Sequence, residues 1–161
     1  KALIARLKDA VRDVVEPVAR PRRFRFPETM PANEQGKTPE ALLTKLFAPE
    51  RPDATWTERS AGRAVLQLNI VPELRALDGH FPKLPVVPGV AQVDWAISFA
   101  KEVFPVTGDF TRLEALKFQA IMRPGHTVQL ALEWNGDKHA VTFKFTEGER
   151  QFSSGKVVWR A

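Results

Sequence analysis

PGVAQVDWAISFAKEVF (88–104) decides the architecture. Val90, Val93, Ile97, Ala100 and Phe104 recur at helical spacing, and Ala91, Trp95, Phe99 and Val103 make a second apolar stripe on the same helix. Pro88 suits a first helical position, where a missing N–H is no loss, and Pro105 ends the element. A helix that is apolar on nearly every side must be covered nearly all round. Asp94 interrupts it, and an unpartnered carboxylate is costly in apolar surroundings. The pattern therefore places Asp94 inside the molecule or at a subunit interface, where an acid is retained for chemistry or for a partner.

The segments on either side alternate with period two. ATWTERS (54–60) and RAVLQLNIV (63–71) read as a hairpin about Ala61-Gly62, the second strand setting Val65, Gln67 and Asn69 against Leu66, Leu68 and Ile70. Four more strand-like runs follow the helix, at 111–121, 126–135, 139–147 and 151–160. Arg-Pro-Gly (123–125), Asn-Gly-Asp (135–137) and Glu-Gly-Glu (147–149) supply their turns. The economical solution is an α+β fold in which one antiparallel sheet wraps one long central helix.

Upstream of residue 53 the pattern changes. LIARLKDAVRDVV (3–15) is helical, stopped by Pro17 and Pro21; with Lys1 first and a helix already under way, the sequence reads as a piece of a longer chain. RFRFP (23–27) alternates like a short strand, and MPANEQGK (30–37) is a loop. TPEALLTKLF (38–47) is a helix with Thr38 as N-cap and Pro39 at the first position. The proline-broken stretch 48–53 reads as a linker, which divides the chain into 1–52 and 53–161.

Composition narrows the chemistry. The 161 residues are 43% hydrophobic and 27% charged, the balance of a globular protein. No apolar run approaches the ~20 residues needed to span a bilayer, and no signal-peptide layout opens the sequence, so a cytoplasmic protein without a membrane partner is expected. Without cysteine there is no disulfide, no thiolate nucleophile and no cysteine metal site; no metal is expected. The net charge of +5 is uneven: residues 1–52 hold 11 Lys and Arg against 7 Asp and Glu, whereas 53–161 hold 13 against 12. RPRRFR (20–25) is the densest basic run, but neither a helix-turn-helix pattern nor an aromatic platform accompanies it, and no nucleic-acid partner is expected.

The chemistry concentrates just before the central helix. Pro88-Gly89 leaves the first backbone N–H groups and the positive helix end free, and a glycine admits a ligand close to the backbone. Upstream, His80 lies in a loop stiffened by Pro82, Pro85 and Pro88. A histidine, with an unperturbed pKa of about 6.5, serves as a base near neutrality. Asp94, held protonated by burial, could donate to a leaving group. A base, an acid and an oxyanion donor are the parts needed to eliminate water from a 3-hydroxyacyl thioester. Each residue also has a plainer reading: His80 as packing beside Phe81, Asp94 as partner of a buried arginine or backbone donor, Gly89 as a packing glycine.

HFPKLPVVPGVAQVDWA (80–96) resembles the HFPxxPxxPGVxxxE/D motif of the 3-hydroxyacyl–acyl carrier protein dehydratases, and LKFQAIMRPGHTVQLALEW (116–134) resembles that family's next strand pair. The resemblance implies a hot-dog fold and a homodimer or larger assembly with active sites at the interface, the histidine of one subunit facing the acid of the other. It makes His80 the base, Asp94 the acid and Gly89 the amide donor. It implies an acyl tunnel beside the helix with Phe81, Val90, Trp95 and Ser98 as candidate lining, and a substrate carried on phosphopantetheine of acyl carrier protein or coenzyme A, with no other cofactor. The commoner members have glutamate where Asp94 stands; aspartate is the choice of the dehydratase that also isomerises its product. Ser98 replaces the glutamine usual four residues after the acid, and Trp95 replaces a small residue. The sequence is most similar to the dehydratase type of aryl-polyene pathways. Residues 16–47 resemble the end of acyl-AMP-forming ligases, whose closing P-x-N-x-x-G-K is matched by Pro31, Asn33, Gly36 and Lys37. That likeness implies a fused ligase domain in a longer chain, with Lys37 the counterpart of its adenylation lysine; the nucleotide-binding body such a ligase needs is not among these residues, so Lys37 cannot adenylate by itself and the block reads as a structural appendage.

Two other functions share this sequence pattern. A hot-dog thioesterase would use an interface acid to direct water at the thioester carbonyl, and the HFP and PG elements speak against it. A non-catalytic module that docks carrier protein within a multidomain synthase is favoured by the altered Ser98 position. Assay of 3-hydroxyacyl thioesters separates the three, through enoyl product, free thiol or neither.

Overall fold

The structure is a computed structural model that describes residues 2–22, 24–81 and 83–160. Arg23, from the expected strand at 23–27, and Pro82, from the proline-stiffened loop, lie outside the described residues. The backbone forms two compact units, residues 1–47 and 48–161.

In the first unit, α1 (Ala2–Arg12) is amphipathic, and the chain beyond it is tied down by Arg20, whose guanidinium donates to the carbonyls of Val15, at 2.9 Å, and Arg12. Residues 24–27 are not a strand. No strand occurs among the described residues of this unit, so their alternation has no ladder to join. Arg25 instead donates from Nε to the Leu46 carbonyl at 3.1 Å and lies over the Phe47 ring. Helix α2 (Glu40–Lys45) begins one residue later than its sequence suggests, because Pro39 is extended (ψ 152°) and becomes the N-cap; Thr38 provides no cap.

The second unit is a six-stranded antiparallel sheet with one long helix. The strands are β1 (Ala54–Arg59), β2 (Arg63–Asn69), β3 (Phe110–Phe118), β4 (Thr127–Asn135), β5 (Ala140–Glu147) and β6 (Arg150–Trp159), in the order β1-β2-β4-β5-β6-β3. Helix α3 (Gly89–Val103) lies between β2 and β3 in sequence and packs on β4 and β6. Trp95, Ala96, Phe99 and Ala100 join Leu66, Leu68, Leu130, Leu132, Phe143, Phe145 and Phe152 in one core. Each such large apolar side chain contributes about 1.5–3 kcal/mol by leaving water. Trp56 of β1 meets Phe99 edge-on, with ring centroids 6.1 Å apart.

The period-two signal holds in β4 and in most of β2, where Leu66, Leu68, Leu130 and Leu132 are buried and Gln67, Asn69, Gln129 and Glu133 exposed; Val65, expected beside Gln67 and Asn69, is instead buried. β3 differs. It is an edge strand with nearly every residue exposed, and two irregularities break its register with β6, between Phe110 and Arg112 and between Glu114 and Lys117. Bulges of this kind bend and twist an edge strand. Its end brings Phe118 against the start of α3.

α3 is not covered all round by its own chain. Val93, Trp95, Ala96, Phe99 and Ala100 face the sheet, while Val90, Asp94 and Lys101 lie on the open face. Asp94 is therefore exposed on the single chain and lies outside its core, which overturns the first of the two places its sequence allowed. The reason is geometric: residues 90, 94 and 101 share one helical face, opposite the stripe that the sheet buries.

Candidate active site

The loop before α3 folds back on itself. The His80 amide donates to the Leu77 carbonyl at 3.1 Å, and the Val86 amide donates to the His80 carbonyl at 2.8 Å, so the His80 backbone is tied to Val86, two residues before the Pro88 N-cap. The imidazole is exposed, and Nδ1 lies 3.2 Å from the Asp78 carbonyl oxygen. A carbonyl only accepts, so this bond places the proton on Nδ1 and leaves Nε2 with a lone pair. Phe81 meets the imidazole edge-on and is itself exposed.

Helix α3 opens without a side-chain cap. The amides of Ala91 and Gln92 bond to the Pro88 carbonyl, while those of Gly89 and Val90 precede any intrahelical acceptor. Gly89 is glycine for a packing reason as well: a Cβ there would stand 2.5 Å from Cζ of Phe118. Phe118 thus lies over the first turn, and sequence reading did not single it out.

Gln92 was also missed. It is 2% exposed, Oε1 accepts from the fully buried Ser153 hydroxyl at 2.6 Å, and Nε2 donates to the Val87 carbonyl at 3.3 Å. The Val87 amide in turn donates to the Met122 carbonyl at 2.9 Å. These bonds lock the residue before Pro88-Gly89 to β6 and to the segment after β3. A glutamine inside an otherwise apolar helical face was the available signal, because a buried amide needs partners.

The other candidates separate. Asp94 is exposed, and among the described residues no hydrogen bond or ion pair joins it to His80 within the chain. The apolar surroundings expected to favour its protonated form are not supplied by its own subunit. Val90 is 77% exposed on the same face. Trp95, by contrast, is 1% exposed, and its Nε1 donates to the Glu50 carbonyl at 3.1 Å. Ser98 is half-buried and its hydroxyl accepts from Arg51 at 2.7 Å. Lys37 lies in the other unit, exposed at the end of a turn built by Asn33, whose Oδ1 accepts from the amides of Gln35 and Lys37 at 3.0 and 2.9 Å.

Two further titratable clusters lie outside this loop. His126 Nδ1 is 2.8 Å from Glu147, which also accepts from the Thr127 amide; the His126 bond, then the amide, hold the Glu147 carboxyl below its ordinary range against some desolvation. Glu114 is likewise lowered by its bonds to Lys156 and Arg112. Among the described residues no group of three His, Asp or Glu is disposed to hold a metal ion. No described helix is long and apolar enough to cross a membrane.

Sheet order, central helix and open helix N-terminus define a hot-dog protein, and solved structures agree. A hypothetical thioesterase from Streptococcus pneumoniae, solved with coenzyme A, shares the fold at 11% identity and a TM-score of 0.54, over 74% of this chain and 95% of that one. The dehydratase heterocomplex ApeI:P from Xenorhabdus doucetiae contains a chain 33% identical, with a TM-score of 0.63, covering 67% of this chain and 96% of that one. An uncharacterized protein from Erwinia carotovora is also 33% identical, with a TM-score of 0.56 over 66% and 94%. Curated proteins give no match. The model of the ApeI-like family, described as ApeI dehydratase, matches residues 56–156, and the chain belongs to that family.

Proposed function

We propose that the protein eliminates water from 3-hydroxyacyl thioesters, carried on acyl carrier protein, to give trans-2-enoyl thioesters in aryl-polyene or related fatty-acid-like synthesis. The observation that carries this reading is His80: its Nδ1 proton is committed to Asp78 and its backbone is pinned beside the uncapped start of α3, so Nε2 faces outward as a base. Nε2 takes the α-hydrogen, which the thioester acidifies. The electron pair moves toward the thioester oxygen, where the Gly89 amide stabilises it, and then forms the α,β double bond as the C3–O bond breaks. The departing hydroxyl takes a proton from Asp94 and leaves as water.

Because His80 and Asp94 do not meet within one chain, the acid at each His80 is assigned to a second subunit. The exposed edge strand β3, with Phe110, Leu113, Leu116 and Phe118 open, is the apolar surface available for that contact. Association there would bury Val90 and Asp94 and supply the desolvation that one chain lacks. A second copy is the assigned partner; the relative named as a heterocomplex makes a sister subunit the competing outcome. The first unit is read as the end of an acyl-AMP-forming ligase, supported by the Asn33 turn that presents Lys37. ATP–pyrophosphate exchange by the full-length protein, lost in Lys37→Ala, tests it.

The test of the main reading is incubation with 3-hydroxyacyl thioesters. A rise in conjugated enoyl absorbance that disappears in His80→Ala and Asp94→Asn is expected. Free thiol without enoyl product would identify a thioesterase, and neither product a docking module.

A further inference from the structure

The densest basic run of the sequence, residues 20–25, has no part in the chemistry at α3. In the first unit its arginines meet those of α1 around a cleft of about 290 Å³. Lys8 and Arg12 come from the end of α1, Arg20 and Arg22 from the chain beyond it, and Val11, Pro17 and Pro21 complete the walls. No carboxylate is among the described residues that line it. Arg20 is half-buried and fixed: Nε donates to the Val15 carbonyl at 2.9 Å and a terminal nitrogen to the Arg12 carbonyl. Those two bonds cover carbonyls at the negative end of α1, which would otherwise repel an anion. They leave three of the five guanidinium N–H donors for another partner. Arg12 pairs with Asp9, but Lys8 and Arg22 make no hydrogen bond or ion pair among the described residues. Gathering like charges around one cleft is unfavourable until an anion enters it.

We propose that this cleft binds a diphosphate group. The planar guanidinium fork matches two phosphate oxygens at once, and Arg20 is already held in place to offer it; Lys8 adds a point charge and Arg22 a second fork. Charge selects the ligand. Four cations line the cleft and the Asp9 carboxylate pairs with one of them, so three positive charges await neutralisation. A single phosphate monoester brings about −1.5 to −2 and leaves the lining positive, whereas a second phosphoryl group balances it. The volume agrees: it stands at the lower end of small-molecule sites, about 300–1,000 Å³. The apolar wall of Val11, Pro17 and Pro21 gives an organic group attached to the diphosphate a surface to lie on. Lys37 does not line the cleft, and the inference depends neither on the dehydratase reading nor on the ligase-tail reading.

The experiment is calorimetric titration of the 161-residue chain, at fixed ionic strength, with inorganic pyrophosphate, with ADP and with sulfate as the plain anion. Pyrophosphate or ADP should bind saturably and at least about tenfold more tightly than sulfate. Lys8→Ala and Arg22→Ala remove exposed side chains that hold no other group, so the fold should survive, which circular dichroism checks. Each should weaken diphosphate binding about tenfold, the scale of one hydrogen bond to a charged group. ADP binding more tightly than pyrophosphate supports the site with a carried diphosphate on the apolar wall; pyrophosphate binding as tightly supports it with the free ion. No saturable binding of either, equal affinity for sulfate, or binding unchanged in both variants overturns the proposal. None of these outcomes bears on dehydration, which is assayed with other substrates.

Discussion

Replacing Gln92 by leucine tests whether the start of α3 is held by its buried amide. The substitution is close in volume, so the effect is polar. It removes the 2.6 Å bond from Ser153 and the 3.3 Å bond to the Val87 carbonyl. A net hydrogen bond contributes about 1 kcal/mol, and orphaning a buried hydroxyl costs about 1–3 kcal/mol more. The Ser153 hydroxyl has no exposed surface to recover water, so the second effect dominates; the long bond to Val87 adds little. Gln92→Leu should therefore cost about 2–3 kcal/mol in urea unfolding, and Ser153→Ala less. The double variant, which removes both partners, should cost less than the sum, with a coupling of about 1–2 kcal/mol. Two results would refute the reasoning: a Gln92→Leu protein as stable as wild type within about 0.5 kcal/mol, or strict additivity of the two substitutions.

Other substitutions probe neighbouring parts of the account. Gly155 of β6 has no room for a side chain: a Cβ would stand 2.9 Å from the buried Phe143 ring and 3.1 Å from Leu116, so Gly155→Ala should cost about 1–3 kcal/mol, measured by thermal or urea unfolding. Gly89→Ala meets only the tip of the half-exposed Phe118, which can swing away, so its melting temperature should stay near wild type while dehydration falls. The lowered Glu147 carboxyl binds its proton less readily folded than unfolded; its contribution is present above the ordinary carboxylate range and is lost as pH falls through the folded value. The melting-temperature gap between wild type and Glu147→Gln should therefore be widest near neutrality and close on acidification, and a gap independent of pH would contradict the assignment.

The architecture was legible because its signals are local. The two apolar stripes of 88–104 and the alternation in β2 and β4 each follow from which face meets the core, and Pro88 and Pro105 punctuate the helix without reference to distant residues. What misled was local patterning without a tertiary partner. Residues 24–27 alternate but have no strand beside them. Asp94 sits in an apolar helix, one of whose two allowed places was the core, yet its face is the one the sheet leaves open, so only that half of its reading fails. The polar partners of α3 were not legible at all. Arg51 reaches Ser98 across 47 positions, and Gln92 reaches Ser153 across 61, separations at which sequence spacing carries no information. The site was readable as a set of residue types around His80 and Gly89; the proposal that it is divided between subunits comes from the family resemblance and from the exposure of Asp94.

The claim on which the mechanism depends is that imidazole and acid come from different subunits. It is tested by mixing His80→Ala and Asp94→Asn chains under conditions of demonstrated subunit exchange and following enoyl thioester formation. Random pairing gives half the dimers as mixed pairs with one intact site of two, so about a quarter of wild-type activity should return from two inactive parents. No recovery despite exchange, or wild-type turnover in either parent, would contradict the shared site.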